Sequence, residues 1–124
     1  MKHEELTSKI IGAAIDVHRE LGPGLLESAY EVCMFKELEA RGLAVMAQVP
    51  VPVIYKGDRL DAGFRIDLLI EDQIVVEIKA VEQLLPVHTA QLITYLKLSH
   101  HEVGLLMNFN VPVLRDGIKR IVND

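Results

Sequence analysis

Two short apolar segments of this chain carry charges at positions that a β-sheet would normally bury. Residues 64–70 contain Asp67, and residues 74–80 contain Glu77 and Lys79. Both segments are rich in β-branched and large aliphatic residues, and a polar turn at 71–73 separates them, so they are predicted to be adjacent strands. A buried charge is costly unless it is paired or bound to a metal ion. The pattern therefore predicts an ionic site within a sheet.

The spacing of these charges predicts that they converge on one patch. Side chains alternate across a strand, so Glu77 and Lys79 share one face. A three-residue connection at 71–73 places Asp67 opposite Glu77, whereas a two-residue turn would put Asp67 on the wrong face. The same register places Arg65 opposite Lys79. We therefore expect an odd-length connection that brings two carboxylates and an ammonium group together.

This set of side chains suits the hydrolysis of a phosphodiester. Mg²⁺ prefers oxygen ligands, keeps several waters and needs few carboxylates. Such an ion polarises a phosphate and lowers the pKa of a bound water, and a nearby lysine stabilises developing negative charge. The alternative is a structural ion pair of Lys79 with Asp67 or Glu77 at a sheet edge. The spacing alone leaves both interpretations open.

The rest of the chain predicts an α/β fold of the α+β type, in the order ααβββαβ with a final β segment. Apolar residues recur with helical spacing on both sides of Gly22-Pro23-Gly24, which separates two helices. Pro50 and Pro52 each remove a ladder donor, which indicates an edge strand or a bulge. The expected architecture is one domain over residues 1–124, with a central mixed sheet flanked by helices. The predicted elements are helices at 5–21, 25–40 and 86–98, strands at 45–55, 63–70, 74–81 and 103–109, and a short hairpin within 113–122.

The composition is that of an ordinary soluble globular protein and limits its partners. Half of the 124 residues are hydrophobic, a quarter are charged, and the net charge is −5. Because phosphate contacts supply most non-specific affinity, this acidic balance argues against a tight, stand-alone nucleic-acid binder. The single cysteine, Cys33, excludes an internal disulfide and fits a reducing compartment. With no secretory signal and no run of about 18 apolar residues, a cytoplasmic location without membrane contact is expected.

Three motifs give the chain a family resemblance. Asp67 and, ten residues later, Glu77-x-Lys79 resemble the PD-(D/E)xK nuclease superfamily. Residues 24–30, Gly-Leu-Leu-Glu-Ser-Ala-Tyr, match the motif that names the GxxExxY protein family, which is usually placed in that superfamily. Residues 91–95 resemble the QxxxY motif of its exonuclease branch. The resemblance covers roughly residues 5–110 and implies a restriction-endonuclease-like core.

The resemblance also implies roles for the matching residues. Asp67 and Glu77 are expected to bind Mg²⁺ or Mn²⁺, and Lys79 is expected to be the catalytic lysine. Glu27 matches an acidic residue of the helix before the sheet, which binds the metal or orients water. Without the resemblance, Glu27 is equally well explained as an acid in the first turn of a helix.

Four further residues complete the predicted site. The resemblance implies that Gln91 and Tyr95 line it, and their i, i+4 spacing puts both on one face of the third helix. His18 is a candidate Mn²⁺ ligand, as upstream histidines are in the exonuclease branch, and the alternative is a histidine favoured near a helix C-terminus. Arg65 is the candidate phosphate contact, since guanidinium groups match phosphate oxygens, and alternatively it neutralises Asp67.

Two functions of different classes are compatible with the sequence. The first is a metal-dependent nuclease domain that binds DNA weakly alone and that a homodimer would help by widening the phosphate-binding surface. The second is a non-catalytic interaction or scaffold protein that retains the fold, favoured by the negative charge and by the lack of a basic or aromatic face. Membership of a family implies a fold more securely than an activity.

Overall fold

The computed structural model describes residues 3–123 as three helices, a 3₁₀ turn and a five-stranded mixed sheet in the order β1-β2-β3-β4-β5. β3 and β4 are parallel and are joined through α3, and the other neighbouring strands are antiparallel. This order confirms the predicted α+β arrangement. None of the helices in this part of the chain has the length and apolar composition that crossing a membrane requires. The elements are α1 (Glu4–Leu21), α2 (Glu27–Ala40), β1 (Val45–Tyr55), β2 (Asp58–Ile70), β3 (Ile74–Lys79), α3 (Pro86–Ser99), β4 (Val103–Asn108), the 3₁₀ turn (Leu114–Gly117) and β5 (Ile118–Val122).

Two hydrophobic cores lie on opposite faces of this sheet. α1 and α2 pack on one face, where β4 contributes Leu105. α3 packs on the other face, where Leu92 and Leu96 meet Leu106 of β4. Successive residues of β4 thus enter different cores, as the two-residue alternation of a strand requires. All six residues of β4 are buried, which confirms the prediction of a strand covered on both faces.

The boundaries differ from the prediction where tertiary pairing decides them. β2 begins at Asp58, well before the predicted start at 63, because Lys56 and Gly57 have φ of 50° and 83° and form a two-residue turn that pairs Tyr55 with Asp58. The predicted hairpin within 113–122 is wrong. Its first half is the 3₁₀ turn, and its second half, β5, pairs with β4 instead.

Tyr30, the last residue of the matched GxxExxY segment, ties the loop between α1 and α2 to the core. Its hydroxyl donates a hydrogen bond to the carbonyl of Gly22 at 2.6 Å and accepts one from the N–H of Leu25 at 3.1 Å. Its ring is fully buried and stacks on Phe109, with 4.5 Å between ring centroids. The tyrosine of this motif therefore has a structural role.

Replacing Tyr30 with Phe is expected to lower the free energy of unfolding by about 1–3 kcal/mol, because a carbonyl and an N–H group beside the core lose their partner. Urea unfolding followed by circular dichroism measures this loss. The matched control is Tyr55→Phe, since the Tyr55 side chain is exposed, and it should unfold like the wild type. Equal stability of all three proteins would contradict the structural role of the Tyr30 hydroxyl.

Candidate metal and catalytic site

The two predicted carboxylates lie at a fork where β2 and β3 separate. The three-residue connection is confirmed, since Ile70 pairs with Ile74, and the described pairing ends at Leu68 and Val76. Beyond that pair, Oε2 of Glu77 accepts a hydrogen bond from the N–H of Asp67 at 2.8 Å. The carboxylate of Asp67 reaches back in the same way. Its Oδ2 accepts a hydrogen bond from the N–H of Ile78, also at 2.8 Å.

Burial and mutual repulsion oppose the ionisation of these two acids. Glu77 is only 5% exposed, and its burial, followed by the negative charge of Asp67, raises its pKa to about 8. Burial also raises the pKa of Asp67, although the hydrogen bond from Ile78 and the charge of Lys79 oppose that rise. A cation bound between the carboxylates would offset the repulsion, so the fork is electrostatically suited to one.

The first turn and a half of α2 brings two more acids toward the fork. Glu27 is the first residue of the helix, and its Oε2 accepts a hydrogen bond from the N–H of Ala80 at 3.3 Å. Burial raises the pKa of Glu31, and the charges of Asp67 and Glu27 add to that rise. Across residues 3–123, however, no group of three or more histidine, cysteine or acidic side chains is arranged to hold a metal ion. The fork therefore presents a two-carboxylate site with Glu27 and Glu31 around it.

Lys79 and α3 complete the surroundings of the carboxylates. Lys79 lies two residues after Glu77 on the same face of β3, and its positive charge opposes the rise in the pKa of both acids that burial causes. Burial, followed by the charges of Glu77 and Asp67, raises the pKa of the Tyr95 phenol. The Tyr95 ring stacks on Phe64 of β2, with 3.7 Å between centroids and an interplanar angle of 6°. Gln91 lies one turn earlier on α3 and is exposed.

Gln48 is a residue of this site that the sequence did not reveal. Its Nε2 donates a hydrogen bond to Oε1 of Glu31 at 2.7 Å. The Gln48 side chain also acts on the Asp67 carboxyl, where it opposes the rise in pKa that burial causes. In the sequence Gln48 is an ordinary polar residue of an edge strand. Only the register of β1 on β2, with Ala47 opposite Leu68, places it across from Asp67.

The ribbon of β1 and β2 changes face at this point. Leu68 belongs to the core beneath α1 and α2, whereas Ile66 belongs to the core beneath α3. Regular alternation would put residues two apart on the same face. Gln48 and Asp67 form no ladder pair in the described register, and Gln48 has a left-handed backbone with a φ of 52°. The site is therefore built on a local irregularity that turns the ribbon.

Arg65 stands apart from the position predicted for it. It pairs with Pro50 of β1, and its Nη1 donates a hydrogen bond to the carbonyl of Gln48 at 3.4 Å. The expectation that Arg65 pairs opposite Lys79 is wrong, because the β2–β3 ladder has ended before either residue. The guanidinium is exposed on the ribbon side of the fork.

His18 is buried against the segment that follows β4. Its Nε2 donates a hydrogen bond to the carbonyl of Val111 at 2.9 Å, and its ring contacts Phe109 with 6.1 Å between centroids. Both partners belong to the segment that follows β4. These contacts give His18 a structural role, and they engage Nε2 in a hydrogen bond while Nδ1 is not part of that bond.

The comparison with protein families agrees with this geometry. A family model described as the PD-(D/E)XK nuclease superfamily matches residues 4–121. The chain belongs to this superfamily. Comparisons with curated proteins and with solved structures gave no match. Membership in the PD-(D/E)XK superfamily supports a nuclease-like function in general, and nucleases of this superfamily generally use divalent metal ions.

The raised pKa of Glu77 predicts a pH dependence for this PD-(D/E)XK domain without metal. Between the ordinary value of 4.5 and about 8, the folded protein holds a proton that the unfolded chain has lost. Stability is therefore expected to fall as pH rises through this window. The Glu77→Gln side chain cannot ionise and keeps an acceptor for the N–H of Asp67. At pH 8 its free energy of unfolding should therefore exceed that of the wild type by on the order of 1 kcal/mol.

Thermal unfolding in EDTA at several pH values measures this effect. Glu77→Ala is the matched control, because it removes the charge and also the acceptor for the N–H of Asp67. It should be less stable than Glu77→Gln at every pH. Parallel pH profiles for the wild type and Glu77→Gln would show that Glu77 does not govern the slope.

Two substitutions at Gln48 distinguish the contribution of its backbone conformation from that of its side chain. Gln48→Gly and Gln48→Ala both remove the amide, so the pKa of the Asp67 carboxyl, followed by NMR titration, should rise equally in both. Glycine adopts a positive φ without strain, whereas alanine there costs about 1 kcal/mol. Urea unfolding should therefore find the glycine variant more stable by that amount. Equal stability of the two variants would refute a left-handed backbone at this position.

Proposed function

We propose that this protein is a metal-dependent nuclease whose catalytic site is the fork between β2 and β3. The observation that carries the proposal is the reciprocal arrangement of Asp67 and Glu77. Two carboxylates with raised pKa values each accept a backbone hydrogen bond across the fork, within the electrostatic influence of Lys79, in a chain of a nuclease superfamily. A purely structural ion pair does not need two mutually repelling acids for one lysine.

The donor chemistry of the fork fits Mg²⁺ or Mn²⁺. Asp67 and Glu77 each use one named oxygen for a backbone hydrogen bond, which leaves Oδ1 and Oε1 as candidate ligands. Mg²⁺ keeps several waters and binds through one or two carboxylates, so a site without a third preformed ligand suits it. When bound, the ion stabilises charge on the phosphate and makes a bound water more acidic. Glu27 is the candidate for a further ligand or for orienting the attacking water.

The remaining residues of the fork have roles toward the substrate. Hydrolysis joins a water oxygen to phosphorus, breaks the bond to the leaving oxygen, and returns a proton to that oxygen. We assign the Lys79 ammonium to stabilising the negative charge that develops on the phosphate oxygens. The raised pKa keeps the Tyr95 phenol protonated at neutral pH, and we assign it the role of a hydrogen-bond donor to the substrate. We assign the exposed side chains of Gln91 and Arg65 to contacts with the nucleic-acid strand.

A DNA strand is the substrate that we propose, with low affinity for the isolated domain. The net charge of −5 limits phosphate contacts, so binding energy has to come from other sources. The same charge favours the second candidate function, a non-catalytic interaction protein that retains the fold. The Nε2 of His18 is bound to Val111, so Nδ1 is the atom that the predicted role as an Mn²⁺ ligand would use.

Metal binding and hydrolysis distinguish the two candidates. Mn²⁺ at about 100 times its Kd should stabilise the wild type by about 2.7 kcal/mol in thermal unfolding. Asp67→Asn keeps an acceptor for Ile78 but loses the charge, so it should lose both this response and DNA cleavage. Lys79→Met should keep the response and lose about 10²- to 10³-fold in kcat. Glu5→Gln, which neutralises an exposed acid in the first turn of α1, is the control and should behave like the wild type.

The pattern across these variants decides the outcome. A wild type that shows neither stabilisation by Mn²⁺ nor cleavage is a non-catalytic member of the superfamily. Stabilisation by Mn²⁺ that survives Asp67→Asn would place the ion elsewhere and remove the basis of the proposed mechanism.

A further inference from the structure

The β1–β2 ribbon extends past the rest of the sheet. β2 pairs with β3 only at residues 68–70, but it pairs with β1 as far as Tyr55 and Asp58. In the described part of the chain, residues 58–67 of β2 therefore have β1 as their one neighbouring strand. Asp67 lies at the base of this ribbon. At about 3.3 Å per residue, the turn at Lys56 and Gly57 lies up to roughly 30 Å from the fork.

The tip of the ribbon exposes large apolar side chains. Ile54, Tyr55 and Leu60 are 58%, 59% and 45% exposed. Exposed apolar groups that cluster in one place mark interaction sites. Cross-strand partners share a face, so the pairs Tyr55–Asp58 and Val53–Leu60 put Tyr55 and Leu60 on one face. Ile54 lies on the opposite face, which makes it a natural reference for tests of Tyr55.

The ribbon also differs in charge from the chain as a whole. Residues 51–66 contain three cations and two acids, although the chain has a net charge of −5. Nζ of Lys56 lies 5.4 Å from the centroid of the Tyr55 ring. Arg59 is paired with Asp61, with 3.1 Å between Nε and Oδ1. Lys56 at the tip and Arg65 near the base therefore mark the two ends of a path that a phosphate backbone could follow to the fork.

We propose that the Tyr55 face of the ribbon tip binds a single-stranded segment of the nucleic-acid substrate at a distance from the cut. The inference rests on the proposed nuclease function. An aromatic ring stacks on an unpaired base and contributes about 1–3 kcal/mol per base, whatever the sequence. A duplex hides the faces of its bases from such a ring. Because an acidic protein gains little from phosphates, stacking on Tyr55 supplies affinity and selects strands whose bases are free.

Binding in EDTA tests the proposal without using the chemistry of the fork. The probes are a labelled single strand of about 24 nucleotides, long enough to span the ribbon at ~3.4 Å per nucleotide, and the same sequence as a duplex. Fluorescence anisotropy should show the wild type binding the single strand more tightly. Tyr55→Ala should weaken single-strand binding by about 5- to 150-fold and leave duplex binding unchanged. Tyr55→Phe keeps the ring and should bind like the wild type.

Ile54→Ala is the matched control, because it removes a similarly exposed side chain from the other face. It should change single-strand affinity less than about twofold, and thermal unfolding should show all three variants folded. With Mn²⁺ present, Tyr55→Ala should raise KM for the single strand and leave kcat unchanged. This split separates a binding surface from a catalytic residue.

The outcomes that overturn the inference differ from those that overturn the nuclease proposal. Wild-type affinity in Tyr55→Ala, an equal loss in Ile54→Ala, or tighter binding of the duplex would each refute the ribbon as a single-strand site. If Tyr55→Ala changes the oligomeric state and leaves single-strand affinity unchanged, the tip binds a second copy of the chain. That result would also refute the single-strand site. If Tyr55→Ala binds the single strand as well as the wild type, only the ribbon proposal is refuted. If the wild type shows neither stabilisation by Mn²⁺ nor cleavage, only the proposal for the fork is refuted.

Discussion

The site depends on two hydrogen bonds that cross the fork between β2 and β3. Glu77 accepts a hydrogen bond from the N–H of Asp67, and Asp67 accepts one from the N–H of Ile78. Each carboxylate therefore satisfies a backbone N–H group of the opposite strand. A sheet that simply ended here would leave these N–H groups without partners, at a cost comparable to a lost hydrogen bond. The two carboxylates therefore replace the missing ladder bonds between β2 and β3, and they hold the strands together at the site.

Apart from these hydrogen bonds, which lower both pKa values, the surroundings of the two acids disfavour a pair of negative charges. Burial and repulsion raise the pKa of both acids, which stores an unfavourable interaction that a cation removes. Hydrogen bonds fix the backbone next to the acids. Asn108, buried in β4, donates to the carbonyl of Val81 at 2.9 Å and accepts its N–H at 3.0 Å, which fixes the chain just past Lys79. Rigid support for a locally unfavourable cluster is typical of functional sites, where activity and stability conflict.

The irregular turn of the β1–β2 ribbon links the fork to the rest of the proposed substrate path. Gln48, with its left-handed backbone, lies across from Asp67 where the ribbon changes face. Just beyond that point Ile66 and Val51 still pack into the core beneath α3, and the strands then continue toward an exposed tip. One irregularity thus orients a carboxylate and directs the ribbon outward. Backbone strain of this kind persists where the surrounding structure compensates for it.

The sequence by itself determined the order of the elements, the odd-length connection at 71–73, and the placement of Asp67, Glu77 and Lys79 together. Local signals suffice for these, because hydrophobic periodicity defines elements and a short turn fixes the register of its own hairpin. Tertiary structure decided what depends on distant strands: the partner of β5, the position of Arg65, the burial of His18 against Val111, and the role of Gln48. These follow from the register of strands far apart in sequence and from which hydrogen-bond partners burial brings close, and neither is encoded in any local pattern of residues.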